Sequence, residues 1–171
     1  MTDTASARLI DSLGLQPHPE GGHFRETYRA ATRVTRADGV VRDAATAILY
    51  LLSDGAWSAW HRIQSDETWH FHAGQGLHVH VLTADGTLIT HHLGNPLERP
   101  GAVFQATVPG GCWFAAELSP DTAGTSGAYA LAGCTVAPGF EFSEFELADP
   151  TRLAQAHPEH AALIHRLAPR G

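Results

Sequence analysis

The feature that most constrains this chain is the succession of short strand-like runs that begins at residue 46 and continues almost to the C-terminus. Thr46–Ser53 is a continuous apolar run, Ser58–Ile63 and Glu67–His72 follow, and Leu77–Leu82 alternates apolar and imidazole side chains strictly. Asp85-Gly86 is a hairpin signal, and Leu88–Leu93, Val103–Val108, Cys112–Leu118 and Tyr129–Val136 complete the set. Short strands punctuated by Gly, Pro and Asp predict an all-β sandwich or barrel. The 17 glycines and 10 prolines among 171 residues suit such a turn-rich chain.

The two ends read differently. Leu9, Ile10 and Leu13 share one face of a short helix over about residues 4–13, with Gly14 as its stop. The prolines and glycines of Gln16–Gly22 then force an irregular loop. Phe24 to Arg29 is a strand with Phe24, Glu26 and Tyr28 on one face. Asp149-Pro150 pairs an N-cap with proline at the first helical position, so helices are expected over about 149–167. No linker or repeat interrupts the chain, which is read as one domain over 1–171 with its barrel at about 22–147.

Composition excludes some partners. Only 11 Lys+Arg and a net charge of -7 leave no basic stripe for phosphates, so no nucleic acid is expected. No stretch approaches the ~20 apolar residues of a membrane span. No basic segment followed by an apolar run marks a signal peptide, so the protein is read as cytoplasmic. Cys112 and Cys134 are read as reduced core thiols.

The chemistry concentrates between His61 and Gly74, where His61, Glu67, His70 and His72 crowd into fourteen residues. Buried ionisable groups cost free energy unless they are paired or bound to metal, so this stretch is a candidate site. A regular strand puts Glu67, Trp69 and Phe71 on one face and His70 and His72 on the other. His78 and His80 read as a solvent-facing stripe, and His91 and His92 lie on opposite faces of their strand. His157, His160 and His165 read as surface residues of the terminal helix.

Glu67, six residues and Gly74 fit the second half of the motif H-x-H-x(3,4)-E-x(6)-G, with His61 on its first histidine. Pro109-Gly-Gly-Cys-Trp-Phe114 fits P-x-G-x-x-H up to its last residue. The chain thus resembles the cupins. Pro17–Tyr28, Ser65–Phe71 and Gly133–Phe140 look like the branch described as predicted sugar epimerases, cupin family five. That resemblance implies a double-stranded β-helix (jelly-roll barrel), a homodimer and a pocket for a small-molecule ligand.

The metal pattern is depleted, with Ile63 in the second histidine slot and Phe114 in the third. No cofactor is therefore expected. A divalent metal, if present, falls on His61 and Glu67. Resemblance to deoxysugar 3,5-epimerases at Glu20–Glu26 and Trp60–Gln64 implies His61 as a proton-abstracting base, with Glu67 as the carboxylate that fixes its tautomer. His70 joins them as a third catalytic candidate. Phe24, Glu26, Gln64, Trp69, Gln105, Trp113 and Phe114 are the candidate ligand contacts. The epimerases' tyrosine acid has no counterpart near Ala130–Ala137, and Gly21 replaces their phosphate-gripping arginine. A small sugar-like or keto-acid ligand is therefore expected, rather than a nucleotide sugar. The alternatives are a metal-dependent oxygenase, isomerase or lyase using a recruited histidine, and a non-catalytic binding module.

Overall fold

The computed structural model describes residues 4–53, 55–122 and 125–170. Helix α1 (Ala5–Leu13) starts where the Thr4 hydroxyl accepts the Ala7 N–H and stops at Gly14, whose φ of 61° ends the turn. Strands β1 (Gln16–Pro17) and β2 (His23–Arg29) precede a ribbon of β3 (Arg33–Thr35) and β4 (Val41–Asp43). Then come β5 (Thr46–Ser53), β6 (Trp57–Arg62), β7 (Asp66–Gly74), β8 (Leu77–Leu82) and β9 (Leu88–Leu93). β10 (Gln105–Val108), β11 (Trp113–Leu118), β12 (Tyr129–Ala137) and β13 (Glu146–Leu147) complete the strands, and α2 (Pro150–Ala156) and α3 (Ala161–Arg166) close the chain.

One sheet runs β1-β2-β5-β12-β7-β10 and the other β13-β6-β11-β8-β9, and the strands within each pair antiparallel. This is the jelly-roll sandwich that the strand pattern predicts. Tyr50, Leu52, Trp69, Val79, Val81 and Phe114 fill the space between the sheets. Trp60, Leu82, Leu153, Ile164 and Leu167 form a second cluster that binds the C-terminal helices to the outer face of the second sheet. Among the described residues no helix is long and apolar enough to cross a membrane.

Two strands decide which histidines face where. In β7 the alternation holds: Glu67 and Trp69 are buried, whereas His70 is half-buried and His72 exposed on the far side. His72 is the extra residue of a bulge against β12, where Ala73 faces Leu131 and Phe71 faces Ala132. In β8, Leu77, Val79 and Val81 point to the core. The opposite face does not meet solvent as its polarity suggested. His80 is 6% exposed, held at 2.9 Å to Thr90 and 3.0 Å to Glu117, and His78 stacks on His92 at 4.4 Å.

The reason is α3, whose Arg166 closes a two-pronged pair on Glu117. Burial alone would raise the Glu117 carboxyl, but hydrogen bonds from His80 and Arg166 outweigh it and hold the group at about 2. A depressed carboxyl stabilises the fold above its unfolded pKa, and that contribution fades as pH falls from about 4.5 towards 2. Arg166 is itself half-exposed, so solvent screens its share. Arg166→Ala is expected to cost about 1 kcal/mol at pH 7 and about a third of that at pH 2. Urea unfolding at both pH values checks this; an equal loss at both contradicts the assignment.

Candidate functional site

A cavity of about 80 Å³ opens at one end of the sandwich. The pairing of β2, β5, β12 and β7 sets Glu26 beside Ile48, Ile48 beside Cys134 and Cys134 beside Trp69, while Phe24 lies beside Tyr50. The second sheet adds His61 and Ile63. Two loops close the end. His18 and Glu20 come from the loop before β2, and Phe140, Phe142 and Phe145 come from the segment after β12. Arg29 also lines the cavity, where Glu26, Asp43 and Glu141 all bind its guanidinium.

The loop before β2 is fixed to its surroundings. The His18 N–H donates to the Gly22 carbonyl at 3.1 Å, the Gly21 N–H to His18 at 3.0 Å, and the Ala59 N–H to the Glu20 carbonyl at 2.8 Å. The Tyr50 hydroxyl donates to the Gly21 carbonyl at 2.7 Å. This holds the Glu20 carboxyl against β6, with Oε1 accepting from Ser58 at 2.8 Å and Oε2 lying 3.2 Å from His61 Nε2. His18 Nδ1 lies 3.4 Å from the same Oε2.

The carboxylate beside His61 is therefore Glu20, and the expectation that Glu67 holds the imidazole is corrected. Glu67 projects from β7 on the opposite sheet, next to Cys134 and Trp69. Burial, reinforced by the charge of Glu20, pushes its carboxyl up to about 8, so at neutral pH it is largely a protonated acid. Burial likewise raises Glu20. It pushes the His61 imidazole down to about 4, against the hydrogen bond to the Ala59 carbonyl, which favours the charged ring. Two buried carboxyls and two imidazoles thus share one apolar cavity, an arrangement characteristic of acid–base sites.

Of the residues expected at the site, His61, Glu67, Phe24 and Glu26 line the cavity. Trp69 is buried below it, edge-on to Tyr50 with ring centres 5.5 Å apart. The indole N–H of Trp69 is buried without a partner that meets hydrogen-bond geometry. Phe114 backs His61 at 4.0 Å and is fully enclosed, so it supports the imidazole rather than facing a ligand. The others lie elsewhere. Strand alternation turns His70 outward, where Nε2 meets Thr135 at 3.1 Å and Nδ1 accepts from the Gln105 amide at 2.8 Å. Gln105 is its cross-strand neighbour and shares that outer face. Gln64 is exposed at the turn between β6 and β7. Trp113 packs with the second cluster under the Arg62 guanidinium, 4.5 Å from its ring centre.

The donor set does not fit a divalent ion held by protein ligands. Ile63 and Phe114 offer no donor, and both His61 nitrogens face protein groups, Ala59 O at 2.7 Å and Glu20 at 3.2 Å. Among the described residues no group of three or more His, Cys, Asp or Glu side chains is placed to hold a metal. His18 and Glu20 escaped the sequence reading. Their one signal was two ionisable side chains confined within Pro17-His-Pro-Glu-Gly-Gly22, a loop with little conformational freedom.

Comparison with known proteins agrees with this fold. Residues 7–148 match the family described as Cupin superfamily (DUF985). A hypothetical protein from Leishmania major superposes with a TM-score of 0.89 at 36% identity, covering 98% of this chain and 100% of the other. Protein SO0799 from Shewanella oneidensis gives 0.84 at 34% identity, over 99% and 100%. The uncharacterized protein YML079W of Saccharomyces cerevisiae is 30% identical over 148 residues, which is 80% of this chain and 72% of that one.

Proposed function

Because the chain belongs to the Cupin superfamily (DUF985) family, we propose a metal-independent proton-transfer enzyme of isomerase or epimerase type, acting on a small sugar-like or keto-acid ligand. The observation that carries this reading is the buried Glu20–His61 contact of 3.2 Å in an apolar cavity, with the raised carboxyl of Glu67 also lining it. Proton transfer at carbon next to a carbonyl needs a base and an acid whose pKa values have been pushed apart, and burial does that here. Among cupin-fold proteins this one is read as an enzyme on that ground. The reading includes a cytoplasmic homodimer, supported by the apolar Val103 and Phe104, 43% and 50% exposed.

Cavity size narrows the ligand. At about 80 Å³ the cavity is small for a ligand site, which suits a compact molecule better than a hexose. Three carboxylates already occupy the Arg29 guanidinium, so an anionic head group meets no free donor there. Both points favour a three- or four-carbon hydroxy-ketone over a larger sugar or a keto acid.

Deuterium incorporation from D2O, followed by proton NMR, tests the reading with hydroxyacetone, dihydroxyacetone, pyruvate and 2-ketobutyrate. Exchange next to the carbonyl is expected to exceed the buffer rate, and His61→Ala is expected to lower it about 100-fold with the fold retained. Binding across the panel with no exchange above buffer would make the protein a binding module instead.

A further inference from the structure

Resting on the proton-transfer reading, we infer that His18, through Nε2, is the group that passes a proton to the ligand, and that His61 is a positioning residue behind it. Hydrogen-bond valence separates the two rings. His61 Nδ1 lies 2.7 Å from the Ala59 carbonyl and so must carry a hydrogen. Its Nε2 faces Glu20 Oε2 at 3.2 Å, and the ring, 2% exposed, lies 4.0 Å from Phe114 and 5.4 Å from Phe145. Both nitrogens of His61 are thus turned to protein groups.

His18 is arranged the other way. Its Nδ1 accepts the Glu20 backbone N–H at 3.3 Å, so the neutral ring carries its hydrogen on Nε2. Among the described residues that Nε2 has no hydrogen-bond partner, and the ring lines the cavity. The walls beside it are Phe24 at 4.5 Å and Phe142 at 5.9 Å, ring centre to ring centre.

Glu20 Oε2 joins the two rings, 3.4 Å from His18 Nδ1 and 3.2 Å from His61 Nε2. Both nitrogens present lone pairs in neutral rings, so the proton between them resides on the carboxyl. The proton that His18 Nε2 gives to a ligand carbonyl oxygen is replaced at Nδ1 by the one on Glu20, for which the long 3.3 Å hydrogen bond from the Glu20 N–H to Nδ1 gives way. The imidazole stays neutral, and the new Glu20 carboxylate accepts from Ser58 at 2.8 Å. The proton on the adjacent carbon goes to the ionised fraction of Glu67, a minority at neutral pH that grows towards pH 8. Its C–H pair becomes the C=C bond of the enol, and the carbonyl π pair forms the new O–H bond.

Histidine nitrogen-15 NMR tests the assignment without requiring turnover. His18 is expected as the Nε2–H tautomer and His61 as the Nδ1–H tautomer, and hydroxyacetone is expected to move the His18 ring nitrogens more than those of His61. His18→Gln is expected to lower deuterium exchange about 100-fold while hydroxyacetone affinity stays within about fivefold. His61→Gln is expected to leave slow exchange with a displaced pH profile. A His18 Nδ1–H tautomer overturns the inference whatever the probes do, as does wild-type exchange in His18→Gln. If wild-type protein exchanges no probe, the enzymatic reading fails, and the tautomers and titration shifts still judge the role of His18.

Discussion

Glu67→Gln is expected to stabilise the protein relative to wild type at pH 8 and to do so far less at pH 5. The folded carboxyl has been raised from 4.5 to about 8, chiefly by burial. Between those values the unfolded chain has released the proton and the folded protein keeps it, so stability falls as pH rises. The stabilising contribution is complete below the unfolded pKa and is lost by the time pH passes the folded one. At about 1.4 kcal/mol per pH unit the full span is an upper bound of about 5 kcal/mol. Glutamine fills the same space without the charge, so the variant avoids that loss. Urea unfolding of both proteins at pH 5 and pH 8 checks it: the variant's gain over the wild type is expected to be several kcal/mol larger at pH 8, a difference in which the opposing titration of buried His61 cancels. An equal gain at both values means that Glu67 ionises freely, and the acid–base assignment falls with it. The same substitution removes the base of the proposed exchange, whose wild-type rate is expected to rise through about pH 8.

That carboxyl was among the most legible parts of the chain. Period-two alternation placed Glu67 and Trp69 inward and His72 outward, and β7 follows it despite its bulge, whereas counting His70 as catalytic went against that alternation and His70 faces out. The strand runs, the terminal helices and the spacing from His61 to Gly74 carried the fold for the same reason: they are local patterns. The partner of His61 was not local. Glu20 precedes it by 41 positions in a loop with no periodicity, and nothing in either segment announces their contact. Phe140, Phe142 and Phe145 reach the cavity from a still more distant segment. His80 was misjudged on similar grounds, because strand alternation says which face a side chain takes and not whether a helix covers that face.

The loop that escaped the pattern is also where one methyl group is expected to do most damage. Gly21 has φ 112°, and a Cβ there would lie 2.1 Å from the Trp57 carbonyl oxygen, a backbone atom that cannot rotate away. Gly21→Ala must therefore push the loop off β6, breaking the Ala59-to-Glu20 and Tyr50-to-Gly21 hydrogen bonds and drawing the Glu20 carboxyl away from His61. Left-handed strain and the forced displacement together are expected to cost at least about 3 kcal/mol. Gly39→Ala isolates the first contribution, since Gly39 has φ 83° and a Cβ there meets nothing within 4 Å. It is expected to cost about 1 kcal/mol. Urea unfolding of the two variants side by side separates conformational strain from close approach. If Gly21→Ala is no less stable than Gly39→Ala, the loop does not lie against Trp57, and Glu20 loses the support that places it beside His61.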